Sequence, residues 1–156
     1  MSLDDDIAFL ERVPTLALLG REPLRILAIG AESRFVQDGD VLFREGEPAD
    51  AGYVVQEGAF ALQSGRRRPT SQPVMVGPGA LLGELALLTE MPSAATATAT
   101  EPSAVVRIPR NLFLKMLEAY PEAAQRLRGV MAMRANQVIE DITGVRAKFD
   151  GLNEPE

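Results

Sequence analysis

Eight glycines, Gly39, Gly46, Gly52, Gly58, Gly65, Gly77, Gly79 and Gly83, cut the middle of the chain into pieces too short for helices. Between them lie brief apolar runs: Val41-Leu42-Phe43, Tyr53-Val54-Val55, Ala59-Phe60-Ala61-Leu62 and Val74-Met75-Val76. Short strands with a turn signal every 6 to 12 residues predict a β-sandwich or barrel. The stretch from Ala94 to Thr100 holds only alanine and threonine, in alternation from Ala95 on. One face is therefore uniformly small and the other hydroxylated, with the period of a strand. Val105, Val106 and Ile108 form the last strand, closed by Pro109.

Helical patterns flank this zone. Leu3, Ile7, Leu10 and Glu11 lie at helical spacing, and Asp4 to Asp6 suit the positive end of the helix dipole. Pro14 is expected to stop that helix. Leu24, Ile26, Leu27 and Ile29 predict a second helix ending at Gly30. Beyond Pro109, Asn111 is expected to cap a short helix carrying Leu112, Phe113, Met116 and Leu117. Pro121 suits the start of a longer helix running to about Lys148. Leu127, Met131, Ala135, Val138, Ile142 and Val145 step by 4, 4, 3, 4 and 3, close to a coiled-coil seam. The first turns of this helix are expected to pack on their own domain and the distal turns on a second copy, making a homodimer.

The 156 residues fit a single domain: helices over 1–31, the β zone over 32–109, helices over 110–149 and a tail over 150–156. No cysteine and no histidine occur, which removes thiolate and imidazole chemistry. No metal site and no cofactor are expected. Catalysis would fall on carboxylates, Lys, Ser or Tyr, and the one carboxylate pair that stands out, Glu45 and Glu47 in "EGE", is better explained by a turn. An enzyme is the least favoured class. Sixteen basic against twenty-two acidic residues give a net charge of -6, which argues against direct DNA binding. The basic run Arg66-Arg67-Arg68 reads as a solvated hairpin tip, with contact to an anionic partner as the alternative. The apolar stretch Leu16 to Leu19 is cut by Arg21, Glu22 and Arg25, far short of the roughly 20 residues of a membrane span. Asp4 to Asp6 are the opposite of a secretory signal, so no membrane attachment and a cytoplasmic location are expected.

The richest chemistry lies in "GPGALLGELALLTEMPSAATATA", Gly77 to Ala99. Gly83 lets the backbone approach a ligand closely. Glu84, Leu85 and Ala86 begin a short helix through Leu88, where free N–H groups can face an anion.

This segment, with "QDGDVLFREGEPAD" (Gln37 to Asp50) and "GYVVQEGAFAL" (Gly52 to Leu62), resembles the cyclic-nucleotide-binding domain. That family includes the sensor half of the catabolite activator protein and the regulatory domains of cyclic-nucleotide-dependent kinases and channels. The likeness runs from about Phe9 to Phe149. It implies a mainly β fold with flanking helices: a double-stranded β-helix, or jelly-roll-like β-roll, between N-terminal helices and a long C-terminal helix. It also implies a phosphate-binding cassette with a carboxylate, here Glu84, on the ribose 2′-hydroxyl. In the family an arginine ten residues beyond the cassette glycine pairs with the cyclic phosphate, and that position here is Ser93. No Arg or Lys occurs between Arg68 and Arg107. Ala94 stands where some members that prefer cyclic GMP carry threonine, so the resemblance favours cyclic AMP.

Two functions compete. One is a signal-transducing sensor that binds cyclic AMP weakly through Glu84, backbone amides and Ser93. The other is a domain that has left nucleotides behind, for a different small ligand or for dimerisation and protein interaction. Transcription factors of the family carry a helix-turn-helix after the long helix, and "DGLNEPE" cannot form one, so output is expected to pass through an effector protein.

Overall fold

The computed structural model describes residues 2–65 and 72–130. A capping box starts the first helix: the Asp5 N–H donates to Ser2 Oγ and the Ser2 N–H to Asp5 Oδ2, both at 3.3 Å. This fixes α1 (Leu3–Glu11), with Asp4, Asp5 and Asp6 in its first turn. Pro14 does not merely stop that helix. It opens a second, α2 (Pro14–Ala17), because a proline's missing N–H costs nothing at the first helical position. α3 (Arg21–Gly30) follows and ends where expected.

The β zone contains β1 (Glu32–Val36), β2 (Val41–Phe43), β3 (Pro48–Ala49), β4 (Ala51–Glu57), β5 (Phe60–Gln63) and β6 (Val74–Val76). It continues through β7 (Leu81–Leu82), a 3₁₀ turn (Glu84–Leu87), β8 (Met91–Pro92), β9 (Thr96–Ala99) and β10 (Ser103–Pro109). Two antiparallel four-stranded sheets form, in the orders β1-β10-β4-β7 and β2-β9-β5-β6, and β3 pairs with β8. This is the expected mainly β architecture with flanking helices. The strands at Val41, Tyr53, Phe60, Val74, Thr96 and Val105 fall on the apolar runs that predicted them.

The alanine–threonine alternation resolves as its period requires. Ala97 and Ala99 are buried and pack against Val36, Val55, Phe60, Leu82 and Val105 in a core between the sheets. On the other face Thr96 Oγ1 accepts the N–H of Glu45 at 2.9 Å. Gly58 is needed where β4 passes into β5: its φ is +88°, and a Cβ there would stand 2.7 Å from Ser103 Cα.

A second core lies under the helices. Ile7, Leu10, Leu16, Leu19, Leu24 and Leu27 meet Val54, Leu87 and Ile108 of the β zone and Phe113 and Met116 of α4 (Arg110–Ala119). Asn111 does not cap that helix: Pro109 holds the cap position without a side-chain bond, and Asn111 lies inside the first turn. The chain is helical again over 121–130, and Leu127 is buried in the helical core. The rest of the seam, Met131, Ala135, Val138, Ile142 and Val145, lies outside the described residues, as do Arg66 to Arg68. Among the described residues no helix is long and apolar enough to cross a membrane.

Candidate functional site

β7 ends at Leu82, and Gly83 takes φ +76° and ψ 37°, the left-handed region. A Cβ at Gly83 would stand 3.2 Å from the carbonyl oxygen of Ala51, so a side chain here would crowd the β4 backbone in addition to the strain at this φ. The chain turns from Gly83 into the 3₁₀ segment Glu84–Leu87, shorter than the helix through Leu88 that the sequence suggested. The expectation that the Ala86 N–H is open to an anion is corrected: it donates to the Gly83 carbonyl at 3.0 Å, as the tight 3₁₀ winding requires.

Glu84 sits between two layers. Its Oε1 accepts a hydrogen bond from Thr15 Oγ1 of α2 at 3.3 Å, which joins the cassette to the N-terminal helices. Ser93 is fixed by its main chain. Its N–H donates to the Glu47 carbonyl at 2.8 Å, and its carbonyl accepts the Gly46 N–H at 2.9 Å. The "EGE" segment is a turn, as expected: Gly46 has φ +86°, and the Glu47 N–H donates to the Arg44 carbonyl at 3.1 Å.

These pieces enclose a cavity of about 410 Å³. Gly83, Glu84, Leu85, Ala86, Ser93 and Ala94 all line it, so the fold brings together every site residue singled out from the sequence. Its charged lining is Glu47, Asp50 and Glu84; among the described residues no Arg or Lys lines it.

Folding does bring arginines near, and sequence reasoning missed them. The β4–β10 register sets Arg107 opposite Tyr53. Arg107 Nη2 reaches Asp50 Oδ2 at 3.1 Å, and its Nη1 reaches Glu32 Oε2 at 3.4 Å. Burial pulls the Arg107 pKa down, but the Tyr53 hydrogen bond and the Asp50 charge outweigh it and hold the pKa above the usual value. Arg110 Nη1 fans across the carbonyls of Ala49 (2.9 Å), Thr89 (3.2 Å) and Ala86 (3.3 Å). Arg44 lies 3.7 Å from Glu47. All three guanidinium groups are engaged by carboxylates or carbonyls. No local pattern announces Arg107 or Arg110, which the β4–β10 register and the start of α4 place, whereas Arg44 meets Glu47 across the local turn.

The family model described as "Cyclic nucleotide-binding domain" matches residues 33–120. The N-terminal domain of a transcriptional regulator from Streptomyces coelicolor A3(2) is 30% identical, with a TM-score of 0.77 over 86% of this chain and 94% of that one. A cyclic nucleotide-binding-like protein from Brucella abortus is 38% identical, with a TM-score of 0.63 over 74% of this chain and 99% of that one. The cyclic nucleotide-gated potassium channel mll3241 of Mesorhizobium japonicum is 32% identical over 116 residues, 74% of this chain and 31% of the channel. The chain spans between 7% and 31% of the length of the first curated relatives it matches. By the family match and by its likeness to these proteins, the chain belongs to the cyclic nucleotide-binding family of regulatory domains.

Proposed function

We propose that this domain is a non-enzymatic regulatory sensor in which tight capture of cyclic AMP has been lost. One observation carries the reading: Ser93 occupies the lining where the resemblance calls for arginine, and among the described residues the charged groups that share the cavity are Glu47, Asp50 and Glu84. Removing one partner of a buried ion pair costs about 3–5 kcal/mol, which is two to nearly four decades of affinity. A serine hydroxyl returns roughly 0.5–1.5 kcal/mol. The nearby arginines do not close the gap, because a phosphate would have to take them from Asp50, Glu47 or the cassette carbonyls.

Isothermal titration calorimetry with cyclic AMP and cyclic GMP tests the reading. Binding in the micromolar range or weaker, abolished by Glu84→Ala, supports a weakened nucleotide sensor. Silence at millimolar nucleotide supports a domain that has moved to another ligand or to protein interaction. Nanomolar binding contradicts both.

The stripe Leu127, Met131, Ala135, Val138, Ile142 and Val145 favours dimerisation as part of the output. Sedimentation of a monomer at tens of micromolar contradicts that part alone.

A further inference from the structure

β1 is the outermost strand of its sheet, so among the described residues one of its edges has no strand beside it. Within those residues no main-chain hydrogen bond reaches Glu32–Val36 from outside the sheet. Four of its five residues are exposed, Phe35 at 86%, and Ile29 at the end of α3 is 64% exposed. A bare edge of this kind is a template for a further strand unless its charges repel one. Here they do not repel a like strand: Glu32 and Arg34 carry opposite signs two residues apart, on one face of β1.

That spacing selects the partner. Two copies related by a twofold axis normal to the sheet keep every side chain on its own face, so the axis passes through a residue. Centred on Glu32, the pairing sets two carboxylates opposite each other; centred on Arg34, two guanidinium groups; both are unfavourable. Centred on Ser33, it sets Glu32 of each copy opposite Arg34 of the other. Directly opposite side chains start about 4.5–5.5 Å apart at Cβ, closer than the roughly 6.5–7 Å between alternate residues of one strand. Within one copy Glu32 Oε2 meets Arg34 Nη2 and Arg107 Nη1 at 3.4 Å each, long for charged hydrogen bonds, and the Arg34 side chain stays 52% exposed. The same register sets Phe35 opposite Ala31 of the second copy, beside the end of that copy's α3, where its ring leaves water. We propose that β1 is a self-complementary edge that pairs antiparallel about Ser33 with β1 of a second copy, joining two sheets into one. This contact is separate from the cavity and from the helical stripe.

The chain contains no cysteine, so one introduced thiol reports one contact. Ser33→Cys in the whole chain sets two thiols across the axis, with Cα atoms about 4.5–5.5 Å apart, within reach of a disulfide. Oxidation with copper phenanthroline at tens of micromolar protein is read on a denaturing, non-reducing gel, which ignores non-covalent association through the C-terminal helix. A covalent dimer is expected to form about tenfold faster than with Gln63→Cys, an exposed position on the internal strand β5. Adding Arg34→Glu sets like charges opposite in both pairs and is expected to slow cross-linking about tenfold. Combining it with Glu32→Arg restores the opposite signs and the net charge beside the thiol, and is expected to restore the rate. Circular dichroism checks that each variant is folded. Cross-linking no faster than Gln63→Cys, a rate indifferent to Arg34→Glu, or one left slow by the double reversal overturns the inference.

Discussion

Thr15 Oγ1 donates to Glu84 Oε1 at 3.3 Å, across 69 positions of sequence, and so ties the helical layer to the cavity wall. Thr15 is buried, 7% exposed, one of two buried polar residues among those described, and sits on the shortest helix of the N-terminal layer. Replacing its hydroxyl with a methyl group keeps the shape and removes the donor. Thr15→Val is expected to lower stability by about 1 kcal/mol, seen as a lower urea midpoint at unchanged m-value. An unchanged midpoint contradicts the coupling.

Arg110 serves the cassette from behind. Its side chain is 15% exposed and meets the carbonyls of Ala49, Ala86 and Thr89, and its N–H donates to the Asp50 carbonyl at 2.8 Å. A lysine keeps the charge but not the planar fork. Arg110→Lys is expected to cost about 2 kcal/mol, roughly 4–8 °C in Tm for a chain of this length, by differential scanning calorimetry. A shift under one degree contradicts the role given to the fan.

Two glycines of equal φ separate strain from collision. Gly39 and Gly58 both have φ +88°; a Cβ at Gly39 meets nothing within 4 Å, whereas at Gly58 it runs into Ser103. Gly39→Ala is expected to lose about 1–2 kcal/mol from backbone strain alone. Gly58→Ala will lose clearly more, and soluble yield and thermal unfolding report the order. Equal losses contradict the packing of the Gly58 turn against Ser103.

Ser93→Arg asks whether the rest of the cassette is intact. The position lines the cavity, held by two main-chain hydrogen bonds that a side-chain change does not touch. A guanidinium there is expected to raise cyclic AMP affinity by about two decades or more, by the ion-pair magnitude already used. No gain in calorimetry points to carboxylate repulsion or the closed Ala86 N–H as further obstacles.

Much of this was legible because the sequence speaks in periods. Glycines marked the turns, Val41 to Phe43 and Tyr53 to Val55 marked strands, and the alternation around Ala97 and Ala99 named both the strand and its buried face. The elements that escaped have no period to offer. β3, β7 and β8 are two residues long, and β1 exposes Glu32, Ser33, Arg34 and Phe35 alike. At the site, the six lining residues from Gly83 to Ala94 lie in one segment and were read together. Arg110 and Thr15 reach that segment, and Arg107 reaches the lining residue Asp50, only through strand register and helix packing, which no local pattern encodes.

The central claim is that the cavity has kept its shape and lost its positive anchor. Equilibrium dialysis of the unmodified chain against labelled cyclic AMP, at physiological salt, tests it most directly. Half-saturation only at micromolar nucleotide or above, or no uptake at all, is expected. Half-saturation in the nanomolar range contradicts it.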